Sequence, residues 1–132
     1  MIVTDASFLS NAVGDDEAAG EAARAILDHH ADVSVPHLAD VEVLSTLRKR
    51  ALAGTMTTQR CVEALRDLTA LPYRRYPAAA FLERAFELRH TVSAYDAIYV
   101  ALAEALGCEL VTADGQLARA PGLRCPVRLI TL

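Results

Sequence analysis

The stretch SAYDAIYVALAEALGCELVTAD, residues 93–114, predicts a helix, then a buried strand, then an acidic residue two positions beyond the strand. Its first four residues, Ser93-Ala94-Tyr95-Asp96, have the spacing of a capping box, which starts a helix. The apolar run Ala97 to Leu106 continues that helix up to a glycine, a residue typical of helix C-termini. Glu109 to Thr112 is short and contains Leu110 and the β-branched Val111 and Thr112, as expected of a buried strand.

Outside this stretch, strand-like and helix-like segments alternate along the chain. The other predicted strands are Ile2 to Thr4, Val33 to Val35, Leu71 to Tyr76 and Val127 to Ile130, and Pro72 restricts the third of these to a sheet edge. The other predicted helices are Glu17 to His30, Pro36 to Gly54, Thr57 to Thr69 and Pro77 to His90. This alternation predicts an α/β/α sandwich with a central, mainly parallel sheet. In such sheets ligands bind at the carboxyl ends of the strands.

Length and composition favour one soluble domain over residues 1–132, with 53% hydrophobic residues. No apolar stretch is long enough to cross a bilayer, and Asp5 stands where a secretory signal would carry positive charge. We therefore expect a cytoplasmic protein without a membrane partner. Cys61, Cys108 and Cys125 are odd in number and lack metal-binding spacing, which predicts reduced, structural thiols.

The formal net charge of −4 appears at first to disfavour a nucleic-acid partner. Basic residues are clustered, however, in the runs Arg48-Lys49-Arg50 and Arg74-Arg75, which are candidates for contacts with backbone phosphates. The first run lies near a helix end, where cations also compensate the helix dipole. Because cations bound by carboxylates reverse the local field, net charge alone does not exclude RNA.

Three acidic residues stand in positions that suggest a site. Asp5 and Asp114 each follow a predicted buried strand, which places both at the same edge of the sheet. Asp96 is the only charged residue from Thr91 to Ala103, on a helix expected to be buried on most sides. A turn or helix-cap role is the alternative for each of them, and it is compatible with a ligand role.

A fourth acidic residue comes from the start of the helix that follows Pro36. Asp40 and Glu42 are two positions apart there, so their side chains point to nearly opposite sides. Only one of the two can face a shared site, and compensation of the helix dipole accounts for either. The residues by themselves leave this choice open.

Carboxylates without a convergent His or Cys select hard cations, Mg²⁺ or Mn²⁺, over Zn²⁺. A divalent ion held in this way supports hydrolysis of a phosphodiester without a covalent nucleophile. The six glycines contain no phosphate-binding motif, and no nucleophile elbow is present. The serious alternative is a non-catalytic protein-binding module with a vestigial acidic pocket, whose helix faces hold a partner.

Four short motifs resemble the acidic set of the PIN-domain family, and more closely that of the VapC toxins of bacterial toxin–antitoxin pairs. They are Thr-Asp-Ala-Ser with Asp5 and Ser7, Ala-Asp-Val-Glu-Val-Leu with Glu42, Tyr-Asp-Ala-Ile-Tyr-Val-Ala-Leu-Ala with Asp96, and Thr-Ala-Asp with Asp114. Each motif is weak alone, but together they cover the chain in order from its first strand to its last.

The resemblance implies a metal-dependent endoribonuclease that cleaves RNA. The implied catalytic residues and Mg²⁺ or Mn²⁺ ligands are Asp5, Glu42, Asp96 and Asp114. The resemblance selects Glu42 over Asp40, and it gives Ser7 and Thr112 a supporting role beside the carboxylates. Members of this family commonly form homodimers. A cognate antitoxin wraps and silences them, and it can present a basic side chain to the acidic pocket.

Overall fold

The computed structural model describes residues 1–30 and 32–131, in which five strands form one parallel sheet. The strands are β1 (Ile2–Thr4), β2 (Val33–Pro36), β3 (Arg74–Tyr76), β4 (Glu109–Thr112) and β5 (Val127–Leu129). Their order across the sheet is β3-β2-β1-β4-β5, and every neighbouring pair is parallel. All residues of β1 and β2 are buried, so the centre of the sheet is covered on both faces.

Seven α-helices and one 3₁₀ helix of the described residues flank the sheet. They are α1 (Ala6–Gly14), α2 (Ala18–Asp28), α3 (Leu38–Leu52), α4 (Thr58–Ala70), a 3₁₀ helix (Ala78–Phe81), α5 (Leu82–Glu87), α6 (Ala94–Leu106) and α7 (Gly115–Ala118). Helix α6 packs over β1, β2 and β4, and α5 packs against α6. Helix α1 contacts β4 and is surrounded by α2, α3 and α4. The predicted α/β/α sandwich is therefore confirmed.

The strand order creates a topological switch point between β1 and β4. From β1 the chain moves through β2 to β3 on one side, and then crosses to β4 and β5 on the other side. At such a point the connections leave neighbouring strands in opposite directions and open a crevice outside the carboxyl ends. Asp5 follows β1 and Asp114 lies two residues beyond β4, so both stand at this crevice.

The five predicted strands are confirmed, but three of their boundaries differ, the last by one residue, since β5 ends at Leu129 and not at Ile130. Pro36 is the last residue of β2 and is buried, paired in register with Tyr76, whereas the sequence suggested that it opens a helix. A proline fits at that strand end, because the next residue supplies the hydrogen bond: the His37 amide donates to the Tyr76 carbonyl at 2.8 Å. The third strand is shorter than predicted and covers only Arg74–Tyr76.

Helix α1 was not predicted from the sequence. It begins directly after β1 because the Asp5 side chain accepts a hydrogen bond from the Phe8 amide and caps it. The predicted helix Pro77 to His90 is in fact a 3₁₀ helix followed by α5, which ends at Glu87. The remaining predicted helices are present, with shifts of a few residues at their ends.

The core is filled by aliphatic side chains and two large aromatic ones. Phe8 on α1 and Tyr99 on α6 are among the largest fully buried side chains. Helix α6 has a buried run from Ala97 to Ala103, as its sequence predicts. All three cysteines are free. Among the described residues, no helix is both long enough and apolar enough to span a membrane.

Gly20 on α2 permits the chain before that helix to pack tightly against it. A Cβ at this position would lie 1.7 Å from the Asp15 carbonyl oxygen, and the Gly20 amide donates to the Asp15 carboxylate at 3.0 Å. Gly20→Ala should destabilise the protein by about 1–3 kcal/mol, despite the better helix propensity of alanine, because backbone atoms must move. Urea unfolding measures this change.

The control for that prediction is Gly115→Ala. There the nearest atom to an added Cβ is the end of the flexible Arg119 side chain, at 2.8 Å, which can move aside. We expect little loss of stability in this variant. Equal losses in the two variants would contradict the explanation from backbone crowding.

Candidate active site

A single cleft of about 270 Å³ at the switch point is lined by all four carboxylates that the sequence singles out. They come from four separate parts of the chain: the end of β1, helix α3, the start of α6, and the segment after β4. The carboxylates are Asp5, Glu42, Asp96 and Asp114. The predicted clustering of these residues is therefore present in the structure.

Asp5 is the most deeply buried member of this acidic cleft, with 4% of its surface exposed. One carboxylate oxygen accepts hydrogen bonds from the Ser7 hydroxyl at 2.7 Å and from the Phe8 amide at 3.0 Å. The other oxygen accepts from the Thr112 hydroxyl at 2.5 Å. Three donors fix the orientation of this carboxylate before any ligand binds.

Ser7 and Thr112 also tie the two strand ends together. The Ala113 amide donates to the Ser7 hydroxyl at 3.1 Å, and the Asp114 amide donates to the Thr112 hydroxyl at 2.9 Å. The segment after β4 is thus hydrogen-bonded to the segment after β1 through side chains. Ser7 and Thr112 therefore lie beside the Asp5 carboxylate, where the family resemblance implied them to be.

The choice between Asp40 and Glu42 is decided by what each side chain contacts. Asp40 accepts two hydrogen bonds from the guanidinium of Arg75, at 2.8 and 3.1 Å, and so joins α3 to β3. Glu42 is half-buried and lines the cleft, where it accepts a hydrogen bond from the Tyr99 hydroxyl at 2.7 Å. Glu42 is therefore the member of the pair that lines the cleft.

Tyr99 is a site residue that the sequence analysis missed. Only 1% of its surface is exposed, and its hydroxyl reaches the cleft from inside the core to hold Glu42. Its position, three residues after Asp96 on α6, places both side chains on one face of that helix. This spacing was visible in the sequence, but it is equally typical of a core tyrosine.

Asp96 and Asp114 both sit at helix starts. Asp96 is in the first turn of α6, where its amide donates to the Ser93 hydroxyl at 3.1 Å. Asp114 caps α7 by accepting from the Gln116 amide at 2.8 Å. The capping roles weighed as alternatives are thus real for Asp5, which caps α1, and for Asp114, and both residues also line the cleft.

Comparison with known proteins identifies the family of the chain. The family model of the PIN domain matches residues 2–123. The chain belongs to the PIN domain family.

Curated relatives of this PIN domain agree with that assignment. It is 41% identical over 130 residues to the VapC ribonuclease Mb0985 of Mycobacterium bovis, and the match covers 98% of each chain. It is 38% identical to Ribonuclease VapC1 of Mycobacterium tuberculosis, over 97% of this chain and 96% of that one.

Solved structures share the fold at lower sequence identity. VapC20 of Mycobacterium tuberculosis, described as a toxin that cleaves the sarcin–ricin loop, superposes with a TM-score of 0.70 at 21% identity, covering 89% of this chain and 92% of that chain. PAE2754 from Pyrobaculum aerophilum gives a TM-score of 0.72 at 23% identity, covering 97% and 83%.

The cleft of this PIN domain concentrates negative charge. Burial raises the pKa of Asp5, against the opposing effect of its three hydrogen-bond donors, and the nearby charge of Asp114 raises it further. Burial also raises the pKa values of Glu42 and Asp96, and neighbouring carboxylates add to both increases. In the described residues, no Arg or Lys forms an ion pair with these four carboxylates. A bound cation would relieve this repulsion.

The donor set of this PIN domain fits a hard divalent cation that keeps part of its hydration shell. Among residues 1–30 and 32–131, no group of three or more His, Cys, Asp or Glu side chains is arranged so that it could hold a metal ion. Mg²⁺ rarely requires such a group, because it usually retains several waters and binds one or two protein carboxylates. Four oxygen-donating side chains around one open cleft meet that requirement.

In the basic run Arg74-Arg75, one of the two arginines is occupied by structural contacts. Arg75 is held by Asp40 and also donates to the Leu68 carbonyl at 3.0 Å. It is therefore unavailable for the phosphate contact that the sequence suggested. Arg74 beside it is exposed.

Asp96→Asn should stabilise the metal-free protein in a pH-dependent way. Because folding raises the pKa of Asp96, ionisation of this carboxyl lowers the free energy of unfolding. The destabilisation is absent below the ordinary pKa near 4 and is complete above the raised pKa. In EDTA, the melting temperature of the variant should exceed that of the wild type by roughly 1–3 °C near pH 7. The difference should shrink toward pH 4.

Asp16→Asn provides a control of opposite sign. The Arg60 guanidinium lowers the pKa of Asp16, so its ionisation stabilises the fold above the ordinary pKa. This variant should lose stability relative to the wild type as the pH rises. An Asp96→Asn difference that does not change with pH would show that repulsion in the cleft is negligible.

Proposed function

We propose that this PIN domain is a metal-dependent endoribonuclease and the toxin component of a bacterial toxin–antitoxin pair. The observation that carries the proposal is the convergence of four carboxylates on one cleft at the switch point of the sheet. The names of its curated relatives support RNA as the substrate, since they are VapC ribonucleases with 34 to 41% identity over nearly the full chain.

In the proposed mechanism, Asp5, Glu42, Asp96 and Asp114 hold one or two Mg²⁺ or Mn²⁺ ions. The metal supplies Lewis acidity toward the phosphodiester and a more acidic attacking water. Asp5 acts as the fixed point of the site, because Ser7, Thr112 and the Phe8 amide hold its orientation. Such fixed orientation favours catalysis because little reorganisation is then needed when the substrate binds.

Tyr99 acts in this mechanism as a positioning residue for Glu42. A buried phenol that donates to a carboxylate restricts its rotamers and stabilises its charged form. The same bond leaves the second oxygen of Glu42 available to a ligand, since the Tyr99 contact uses only one. Asp96 and Asp114, whose backbones are fixed by helix starts, complete the wall of the cleft.

The proposed partners are an RNA substrate and a cognate antitoxin, and the proposed place of action is the cytoplasm. The negative cleft suits inhibition by a basic side chain of the antitoxin, which would compete with the metal for the same carboxylates. This mode of silencing requires no conformational change in the toxin.

We also expect the protein to act as a homodimer. Three large apolar side chains line one groove between α5 and the start of α6: Leu82, Phe86 and Tyr95, which are 58, 67 and 60% exposed.

Leu82→Glu should shift the protein toward the monomer, because a charge there opposes apolar contact. Leu52→Glu, at a leucine that is 72% exposed and outside this groove, is the matched control. Sedimentation analysis that gives one unchanged mass for the wild type and both variants would exclude this groove as the interface.

The nuclease proposal is tested by digestion of total cellular RNA with the purified, antitoxin-free protein in Mg²⁺, Mn²⁺ or EDTA. The wild type should give discrete fragments only when a metal is present. Glu42→Gln should reduce the rate by roughly 100-fold or more, because even residues behind a metal ligand contribute about 10–100-fold.

Asp40→Asn is the matched control, since it changes an acid two positions away that faces Arg75 instead of the cleft. It should keep its activity. Circular dichroism verifies that both variants are folded. Cleavage that is equally strong in Glu42→Gln, or in EDTA, would contradict the proposed site. A folded wild type that leaves all RNA intact would favour the binding-module alternative.

A further inference from the structure

Helix α3 presents one basic residue to the acidic cleft. Glu42, Ser45, Thr46 and Lys49 all line the cleft, at spacings of three, four and seven residues that place them on one face of the helix. Lys49 is the only lysine of the chain, in which all other basic side chains except histidine are arginines. Its position extends the cleft along α3 by two helical turns from Glu42, a rise of about 10 Å.

The helix separates Lys49 from its two basic neighbours. Successive residues of an α-helix are rotated by about 100°, so a run of three cannot share one face. Arg48 is exposed and does not line the cleft. The guanidinium of Arg50 lies beside Gly14 at the end of α1, 3.3 Å from where a Cβ of that glycine would stand. Lys49 is therefore the one member of the run that is directed to the site.

Lys49 is also not engaged in an ion pair within the part of the chain that the structure describes. Arg60, Arg75, Arg84 and Arg128 each contact a carboxylate, but no carboxylate oxygen of the described residues lies within 4.0 Å of the Lys49 ammonium. The side chain is exposed and its stem is flexible. An ammonium in this state is available to an anion that enters the cleft.

We propose that Lys49 binds a phosphate of the RNA that flanks the phosphate being cleaved, so that the RNA backbone runs along α3. This inference rests on the proposed nuclease function. The distance of two helical turns between Glu42 and Lys49 separates the ammonium from the carboxylates that would hold the metal. A compact point charge on a flexible stem suits a single phosphate oxygen, and a backbone contact positions RNA without reading its sequence.

The test uses a labelled RNA fragment that spans a cleavage site mapped with the wild-type protein. Lys49→Ala should raise KM by roughly 3–10-fold while kcat changes by less than about twofold, since the lost contact is to a flanking phosphate. The dependence of KM on salt should become shallower by about one phosphate contact. Lys49→Arg should restore most of the binding, because it keeps the charge.

Arg48→Ala is the matched control, because it removes the same charge from the adjacent exposed position. It should leave KM and its salt dependence close to the wild-type values. Equal effects of Lys49→Ala and Arg48→Ala would overturn the inference in favour of a general effect of net charge. An unchanged KM in Lys49→Ala, together with a lower melting temperature in EDTA, would instead assign Lys49 to neutralising the carboxylates.

The two failures are distinguishable. A wild type that cleaves RNA with metal, beside a Lys49→Ala variant with the same KM and salt dependence, overturns the Lys49 inference and leaves the nuclease intact. A folded wild type without metal-dependent cleavage overturns the nuclease proposal, and the inference fails with it.

Discussion

The carboxylate of Asp5 joins the two halves of the sheet at the point where they diverge. It stands at the end of β1, caps α1 through the Phe8 amide, and accepts a hydrogen bond from Thr112 at the end of β4. A buried carboxylate is costly unless donors surround it, and here the donors come from both sides of the switch point. The fold and the site are therefore held together by the same hydrogen bonds.

The other three carboxylates come from α6, α3 and the start of α7, and packing or hydrogen bonds hold each of these helices in place. Helix α6 is buried nearly all round and brings Asp96 to the cleft at its first turn. Helix α3 is joined to β3 by the Asp40–Arg75 pair, and its Glu42 lines the cleft. Asp114, two residues beyond β4, caps the start of helix α7. Each segment therefore brings one carboxylate to the cleft, at the cost of raised pKa values for three of them.

The residues that hold the carboxylates in place are distinct from the carboxylates that line the open cleft. The hydroxyls of Ser7 and Thr112 donate hydrogen bonds to Asp5, and the Tyr99 hydroxyl donates one to Glu42. The open side of the cleft remains polar and accessible. Negative charge that the protein does not neutralise internally creates an attractive potential for cations. A compensated cluster would attract a metal less strongly, so the uncompensated charge is what would suit this end of the sheet to the proposed cation.

The sequence alone determined the class of fold and the candidate carboxylates, because both depend on local patterns. Alternating strands and helices imply a parallel sheet, and an acidic residue after a buried strand must lie at the carboxyl edge. Helix α1 could also have been predicted from the capping position of Asp5, but it follows the strand without a loop and is only nine residues long.

The choice between Asp40 and Glu42 is different, since the residues alone left it open and only the family resemblance favoured Glu42. In the structure, Asp40 contacts Arg75, 35 residues away, whereas Glu42 contacts Tyr99, 57 residues away, and lines the cleft. Likewise, the sequence showed three adjacent basic residues, and only the rotation of α3 in the folded chain directs Lys49 to the cleft. Contacts between distant segments are set by tertiary packing, which local periodicity does not contain.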